Sequence, residues 1–132
     1  MIVEKEFKSE TESLNEIQDF ICETAEKSDI PANIVAKLNI CTDEIVSNII
    51  KYSSAEYVSL KMVTSGESPV CTITYIDDGK PFDPVKDAAE FDASVPLEER
   101  GEGGMGIFIV KKMMKSVSYR REGNRNIFTI SI

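Results

Sequence analysis

The chain has 132 residues, of which 42% are hydrophobic and 29% are charged, and its formal net charge is −8. These values predict a single globular domain over residues 1–132 with enough apolar side chains for a core. The acidic balance argues against nucleic acid and anionic membrane surfaces as partners. Because it has neither a membrane-length apolar run of roughly 20 residues nor a signal-peptide pattern, we expect a cytoplasmic protein.

The sequence contains no histidine and only three cysteines, which lie far apart. The absence of histidine excludes a Ser-His-Asp triad, histidine metal ligands and phosphohistidine chemistry on this chain. Cys22, Cys41 and Cys71 form no C-x-x-C pair, so we expect them to be small buried hydrophobic residues.

The first part of the chain predicts one strand followed by two helices. Residues 1–7 alternate between apolar and polar side chains, as in a strand. Ser13 and Glu16 have the spacing of a capping box at the start of the first helix. A long second helix is predicted over residues 32–52, with Pro31 near its first position. Its buried side is expected to contain Ile34, Leu38, Cys41 or Ile45, and Ile49.

The second part predicts four strands, one helix and a long irregular segment. The first two strands, residues 57–64 and 70–77, are separated by a turn around Gly66, which indicates a hairpin. Residues 79–103 have no clear period, and an irregular segment of this length is often a functional lid; a short helical turn is allowed near residues 85–91. The remaining elements are a helix over residues 105–115 and strands over residues 117–121 and 126–132.

The order β-α-α-β-β-lid-α-β-β predicts an α/β two-layer sandwich. Its strands pair mainly through hairpins, so the mixed sheet should be largely antiparallel, with the helices grouped on one face. The sequence has no G-x-x-x-x-G-K-[ST] motif, and its glycine-rich stretch follows the lid rather than a strand. Neither a P-loop nor a Rossmann arrangement is therefore expected.

A glycine-rich stretch immediately precedes the last predicted helix. Four of the seven glycines lie within Gly101-Glu102-Gly103-Gly104-Met105-Gly106, which runs into the apolar Ile107-Phe108-Ile109-Val110. Glycines let backbone N–H groups converge on a ligand, and a helix N-terminus adds partial positive charge. The stretch therefore predicts a phosphate site, although glycine-rich connections without a ligand are also common.

Two polar motifs could accompany a phosphate site. Glu44 and Asn48 lie one turn apart on the long helix and share a face, where they could offer oxygen ligands to Mg²⁺ and a base nearby. Such a pair is also common on a solvated helix face. Asp77 and Gly79 follow a predicted strand; this is usually a turn, but a carboxylate there could accept a hydrogen bond from the amino group of adenine.

Together and in this order, the three motifs resemble the GHKL ATP-binding superfamily, and within it the bacterial anti-sigma-factor serine kinases. The glutamate–asparagine helix motif is matched by residues 43–48, D-x-G-x-P-F-D by residues 77–83, and the glycine motif by residues 104–109. The resemblance covers essentially the whole chain.

The resemblance implies a role for each matching position. Asn48 would bind Mg²⁺, Glu44 would act as the general base towards an acceptor hydroxyl, Asp77 would bind the adenine amino group, and Gly79 would pack beneath the base. The phosphates of ATP would be bound by the end of the lid, namely Arg100, Gly101, Gly103, Gly104, Met105 and Gly106.

The implied function is an ATP-dependent serine/threonine kinase that phosphorylates a STAS-type anti-anti-sigma protein and sequesters a sigma factor or similar target. One alternative is a module that uses nucleotide only to sequester its partner; a weaker one is a detached histidine-kinase ATP domain. The chain could form a homodimer under each of these interpretations. The chain departs from the family pattern at Tyr52, which is often histidine, at Lys115, which is often acidic, and in the additional Gly101-Glu102.

Overall fold

The structure is a computed structural model that describes residues 1–84 and 105–132. Its elements are β1 (Ile2–Lys8), α1 (Leu14–Lys27), α2 (Ala32–Tyr52), β2 (Tyr57–Thr64), β3 (Cys71–Asp77), α3 (Met105–Met113), β4 (Ser116–Glu122) and β5 (Arg125–Ser131). Most of the predicted lid, including the helical turn near residues 85–91, lies outside the described residues. The predicted order of helices and strands is confirmed.

The five strands form one sheet in the order β1-β2-β3-β5-β4. Each pair of neighbouring strands in this sheet is antiparallel. The helices pack against one face of the sheet through a shared apolar core. The α/β two-layer sandwich is therefore confirmed, and its described strands form an entirely antiparallel sheet.

The core follows the alternation of the central strands and the apolar side of α2. In β3 every second residue, from Cys71 to Asp77, is buried. The buried residues of α2 are Leu38, Cys41, Thr42, Ile45, Val46 and Ile49. Ile34, predicted to be buried, is only partly so and packs at the margin of the core. No helix within residues 1–84 and 105–132 is long and apolar enough to cross a membrane.

Two local predictions are wrong. Ser13 precedes α1 but has helical dihedrals, φ −77° and ψ −15°, and its side chain makes no capping hydrogen bond. The reason is the short 3-10 helix Thr11–Ser13, which denies Ser13 the extended conformation that a capping side chain requires. Cys22 is exposed, whereas Cys41 and Cys71 are buried as predicted. Cys22 does not lie among the buried residues of α1, and its Sγ accepts a hydrogen bond from Nδ2 of Asn39 on α2 over 3.4 Å.

A buried hydrogen bond joins α2 to the middle of the sheet. The hydroxyl groups of Thr42 and Tyr75 are 2.6 Å apart, and both residues are fully buried. Burial raises the pKa of Tyr75 above its usual range, so the hydroxyl stays protonated and the bond is between neutral groups. This contact fixes the position of α2 relative to β3, the strand that ends at Asp77.

Replacing Tyr75 with phenylalanine should therefore destabilise the fold. Tyr75→Phe leaves the Thr42 hydroxyl without its partner, and we expect the free energy of unfolding to fall by about 1–3 kcal/mol. Urea denaturation followed by circular dichroism measures this change. The matched control is Tyr57→Phe, in a strand residue that is 43% exposed, where a change within about 0.5 kcal/mol is expected. Equal losses in both variants would contradict the role of the buried bond.

Candidate functional site

Asp77 and Asn126 lie side by side on the face of the sheet that is covered by the helices. They are paired positions of β3 and β5, and only 4% and 3% of their surfaces are exposed. The amide Nδ2 of Asn126 donates a hydrogen bond to Oδ1 of Asp77 over 3.0 Å. A buried carboxyl group thus lies beside a buried amide at this end of the sheet.

Asp77 has further hydrogen-bond donors around it. The backbone N–H of Gly79 donates to Oδ1 over 2.9 Å, and the Ser53 hydroxyl, which donates to the carbonyl oxygen of Ile49 over 2.8 Å, lies near the carboxyl group. Burial raises the pKa of Asp77, and the neighbouring charge of Asp78 adds to this, while the hydrogen bonds from Asn126 and Gly79 and the nearby Ser53 hydroxyl lower it. The surroundings therefore offset part of the cost of burying the charged, hydrogen-bond-accepting form.

Gly79 packs directly against the end of α2. A Cβ atom at this position would lie 2.3 Å from the carbonyl oxygen of Ser53, and the N–H of Lys80 donates to the same oxygen over 2.8 Å. Glycine is therefore required here by the contact with Ser53. Its packing beneath an adenine base stays a prediction.

Glu44 and Asn48 are both partly buried on α2. A Cβ atom on Gly106 would lie 2.1 Å from Oε2 of Glu44, so this carboxylate lies against the first turn of α3. The N-terminus of a helix carries partial positive charge, which favours a carboxylate or a phosphate there. The structure thus brings Glu44 together with the end of the glycine-rich stretch.

Asn48 lies with Asp77 around a small cavity between α2 and the sheet. The cavity is lined by Ile45, Asn48, Ile49, Asp77, Phe82, Pro84, Tyr119, Asn126 and Phe128. Its volume is about 10 Å³, which is room for roughly one water molecule and not for a purine ring. A nucleotide base would fit only if lining side chains such as Phe82 were displaced.

Phe82 is held in this position by two contacts. Its ring stacks on Tyr52 with 5.3 Å between the ring centroids, and its N–H donates to Oδ1 of Asn126 over 3.2 Å. Larger clefts of about 310 and 450 Å³ occur elsewhere, but neither is lined by Glu44 or Asn48. The small cavity is therefore the candidate site, because it is lined by both Asn48 and Asp77, whereas the 310 Å³ cleft is lined by Asp77 without Asn48.

The residues present fit a nucleotide that brings its own metal ion. Among the described residues, no group of three or more cysteine or acidic side chains could hold a metal by itself. Mg²⁺ usually takes few protein ligands and completes its shell with water and phosphate oxygens, so Asn48 would suffice. Met105 begins α3 and Gly106 follows in its first turn. Arg100, Gly101, Gly103 and Gly104 lie outside the described residues.

Sequence reasoning missed Asn126 and the aromatic residues around it. The available signal was the alternation of β5, in which Asn126 shares the buried face with the apolar Phe128 and Ile130. A polar side chain at a core-facing position needs a buried partner. Nothing local identified that partner as Asp77, which is 49 residues away along the chain.

Comparison with solved structures finds the same fold in a protein of Mycobacterium tuberculosis. The crystal structure of the RsbU and RsbW domains of Rv1364c from Mycobacterium tuberculosis aligns with a TM-score of 0.68 and 9% identity, over 99% of this chain and 32% of that one. This chain therefore spans about a third of that protein's length, and the match shows the fold alone.

Two histidine kinases align less well. The histidine kinase domain of a blue-light-activated kinase from Erythrobacter litoralis EL346 gives a TM-score of 0.47 and 15% identity, over 90% of this chain and 58% of that one. Acinetobacter baumannii AdeS gives 0.49 and 14%, over 100% and 68%. A search among curated proteins gave no match.

The sequence itself matches a family model over nearly its whole length. Residues 7–132 match the model for the histidine kinase-like ATPase domain. That match covers the helix with Glu44 and Asn48, the turn after β3 and the glycine-rich stretch, which are the three motifs that predicted a nucleotide site. The chain belongs to the histidine kinase-like ATPase family.

Proposed function

We propose that this chain is an ATP-binding serine/threonine kinase of the anti-sigma type. It would phosphorylate a STAS-type anti-anti-sigma protein and bind a sigma factor or similar regulatory target. The observation that supports this most strongly is the contact of Glu44 with the first turn of α3, since it puts a carboxylate where the glycine-rich stretch would hold the phosphates.

In this proposal Asp77 and Asn48 bind the nucleotide and its metal ion, and Glu44 transfers a proton. Bound Mg-ATP supplies the phosphoryl group that is transferred. Asp77 accepts a hydrogen bond from the adenine amino group, and Asn48 donates an oxygen ligand to Mg²⁺. Glu44 takes the proton from the acceptor hydroxyl as that oxygen forms its bond to the γ-phosphorus and the bond to ADP breaks.

Adenine selectivity is expected to depend on Asp77. In Asp77→Asn one carboxylate oxygen is replaced by a donor, so the amino group of adenine loses its acceptor, and affinity for Mg-ATP should fall at least about tenfold. Isothermal titration calorimetry with ATP and GTP tests this. The wild-type protein should prefer ATP; equal affinity for the two nucleotides would overturn the assignment of Asp77.

Phosphotransfer is expected to depend on Glu44 far more than ATP binding does. Glu44→Ala should lower transfer of label from γ-labelled ATP to a cognate STAS protein by about 10²–10⁴-fold, the range for a positioned base. Affinity for Mg-ATP should change only a few-fold. Asp43→Ala removes the adjacent, exposed carboxylate and is the matched control.

The same assay separates the kinase from the sequestering module. If the wild-type chain binds both ATP and the STAS partner but transfers no label, the kinase proposal is wrong. The alternative, a nucleotide-dependent module that only sequesters its partner, would then take its place.

The position of Glu44 is expected to depend on the missing side chain at Gly106. In Gly106→Ala the new methyl group would occupy the space of Oε2 of Glu44, so the carboxylate must turn away. Transfer should fall at least about tenfold, a smaller loss than the roughly 10²–10⁴-fold expected when the base is removed altogether. Gly66→Ala is the control, since no atom lies within 4 Å of a Cβ there. An unchanged transfer rate in Gly106→Ala would contradict this geometry.

A further inference from the structure

Asn126 is the centre of a buried hydrogen-bond network that the proposed catalytic roles do not use. Its Oδ1 accepts from the Tyr119 hydroxyl over 2.5 Å, from Nη1 of Arg121 over 3.2 Å and from the N–H of Phe82 over 3.2 Å. Its Nδ2 donates to Oδ1 of Asp77 over 3.0 Å and to the carbonyl oxygen of Lys80 over 2.8 Å. Every polar atom of this amide therefore has a partner.

These partners allow only one orientation of the amide. The oxygen lies among three donors and the nitrogen lies between two acceptors, so a rotated amide would place donors against donors and an oxygen against a carboxylate. Two of the three donors, Tyr119 and Arg121, come from β4, where Arg121 is paired with Asn126. The edge strand of the sheet thus determines which way Asn126 points.

The orientation of Asn126 in turn determines which oxygen of Asp77 is free to bind a ligand. Oδ1 of Asp77 already accepts from Asn126 and from the N–H of Gly79, and a carboxylate oxygen has two lone pairs. A donor on a ligand must then be accepted by Oδ2. The plane of the carboxyl group is also restricted, because both donors to Oδ1 are anchored in the backbone or in the network.

Arg121 extends this support to the turn after β3. Its Nη1 donates to the carbonyl oxygen of Gly79 over 2.7 Å, and its Nε donates to the carbonyl oxygen of Gly123 over 3.2 Å. The turn, the carboxyl group of Asp77 and the hairpin between β4 and β5 are therefore joined through one guanidinium group.

We propose that Asn126, oriented by Tyr119 and Arg121, is a positioning residue for adenine selectivity. It acts through Asp77 by fixing the carboxylate so that Oδ2 meets the 6-amino group of the base. The inference rests on the proposed ATP binding by this site, and it adds a specificity-determining residue on a different strand. Replacing a residue with this role should change the affinity for nucleotides that carry the 6-amino group and not the affinity for nucleotides that lack it.

The test compares Mg-ATP with the triphosphate of purine riboside, which has hydrogen in place of the 6-amino group. In calorimetric titrations the wild-type protein should bind ATP at least about tenfold more tightly than the analogue. Asn126→Ala should remove most of that difference by weakening the binding of ATP. The affinity for the analogue should change by no more than about threefold, which is less than the loss of one typical hydrogen bond would cause.

Two further variants make the result decisive. Asn126→Asp keeps the size of the side chain and the donors from Tyr119 and Arg121, but it places a second carboxylate against Asp77, so the preference for ATP should again be lost. Asn126→Asp decides alone if Asn126→Ala does not fold. Thr129→Val is the control: it removes a hydrogen bond between the same two strands, Thr74 to Thr129, on the opposite face of the sheet, and should leave the preference unchanged.

Each outcome is informative. If Asn126→Ala and Asn126→Asp lower the affinity for ATP and for the analogue by the same factor, Asn126 has only a structural role and the inference is wrong. If the wild-type protein already binds both nucleotides equally, the assignment of Asp77 to adenine is wrong, and the role of Asn126 falls with it. That second failure is visible before any substitution is made, so the two are distinguishable.

Discussion

A carboxyl group buried at the end of β3 needs hydrogen-bond donors, and in this chain the donors come from several elements. Asn126 of β5 and the backbone N–H of Gly79 donate to Asp77, and the turn that carries Gly79 is itself bonded to the end of α2 through the carbonyl oxygen of Ser53. An unpaired carboxylate in this position would cost several kcal/mol. The requirement to surround Asp77 therefore brings the end of α2, the turn after β3 and the beginning of β5 to one point, and β4 follows because it orients Asn126.

The sequence patterns that correctly predicted strands and helices are those whose apolar positions are buried in the folded protein. The alternation of β2 and β3 and the apolar period of α2 coincide with burial, so these bounds agree with the structure to within two residues. The capping box failed because whether Ser13 caps depends on the chain before it, which here forms a 3-10 turn. A sequence motif does not specify the entry angle of the chain into a helix.

The candidate site was predictable only in part, for a similar reason. Glu44, Asn48, Asp77 and Gly106 belong to motifs, and each motif indicates a chemistry by its own residues. Asn126 has no motif of its own, and its importance comes from the pairing of β3 with β5, which no local spacing reveals. The place of Phe82 in the cavity likewise depends on its stacking with Tyr52, a contact between residues 30 positions apart.

On the proposal that adenine binds beside Asp77, the ring of Phe82 would compete with the base for the same cavity. Because the cavity has room for about one water molecule, a base bound there would require that ring to leave its place against Tyr52. The measured dissociation constant would then equal the intrinsic one divided by the fraction of molecules in that open form. The stability of one aromatic stack would thus adjust the nucleotide concentration at which the protein responds, without any change in the atoms that contact the nucleotide.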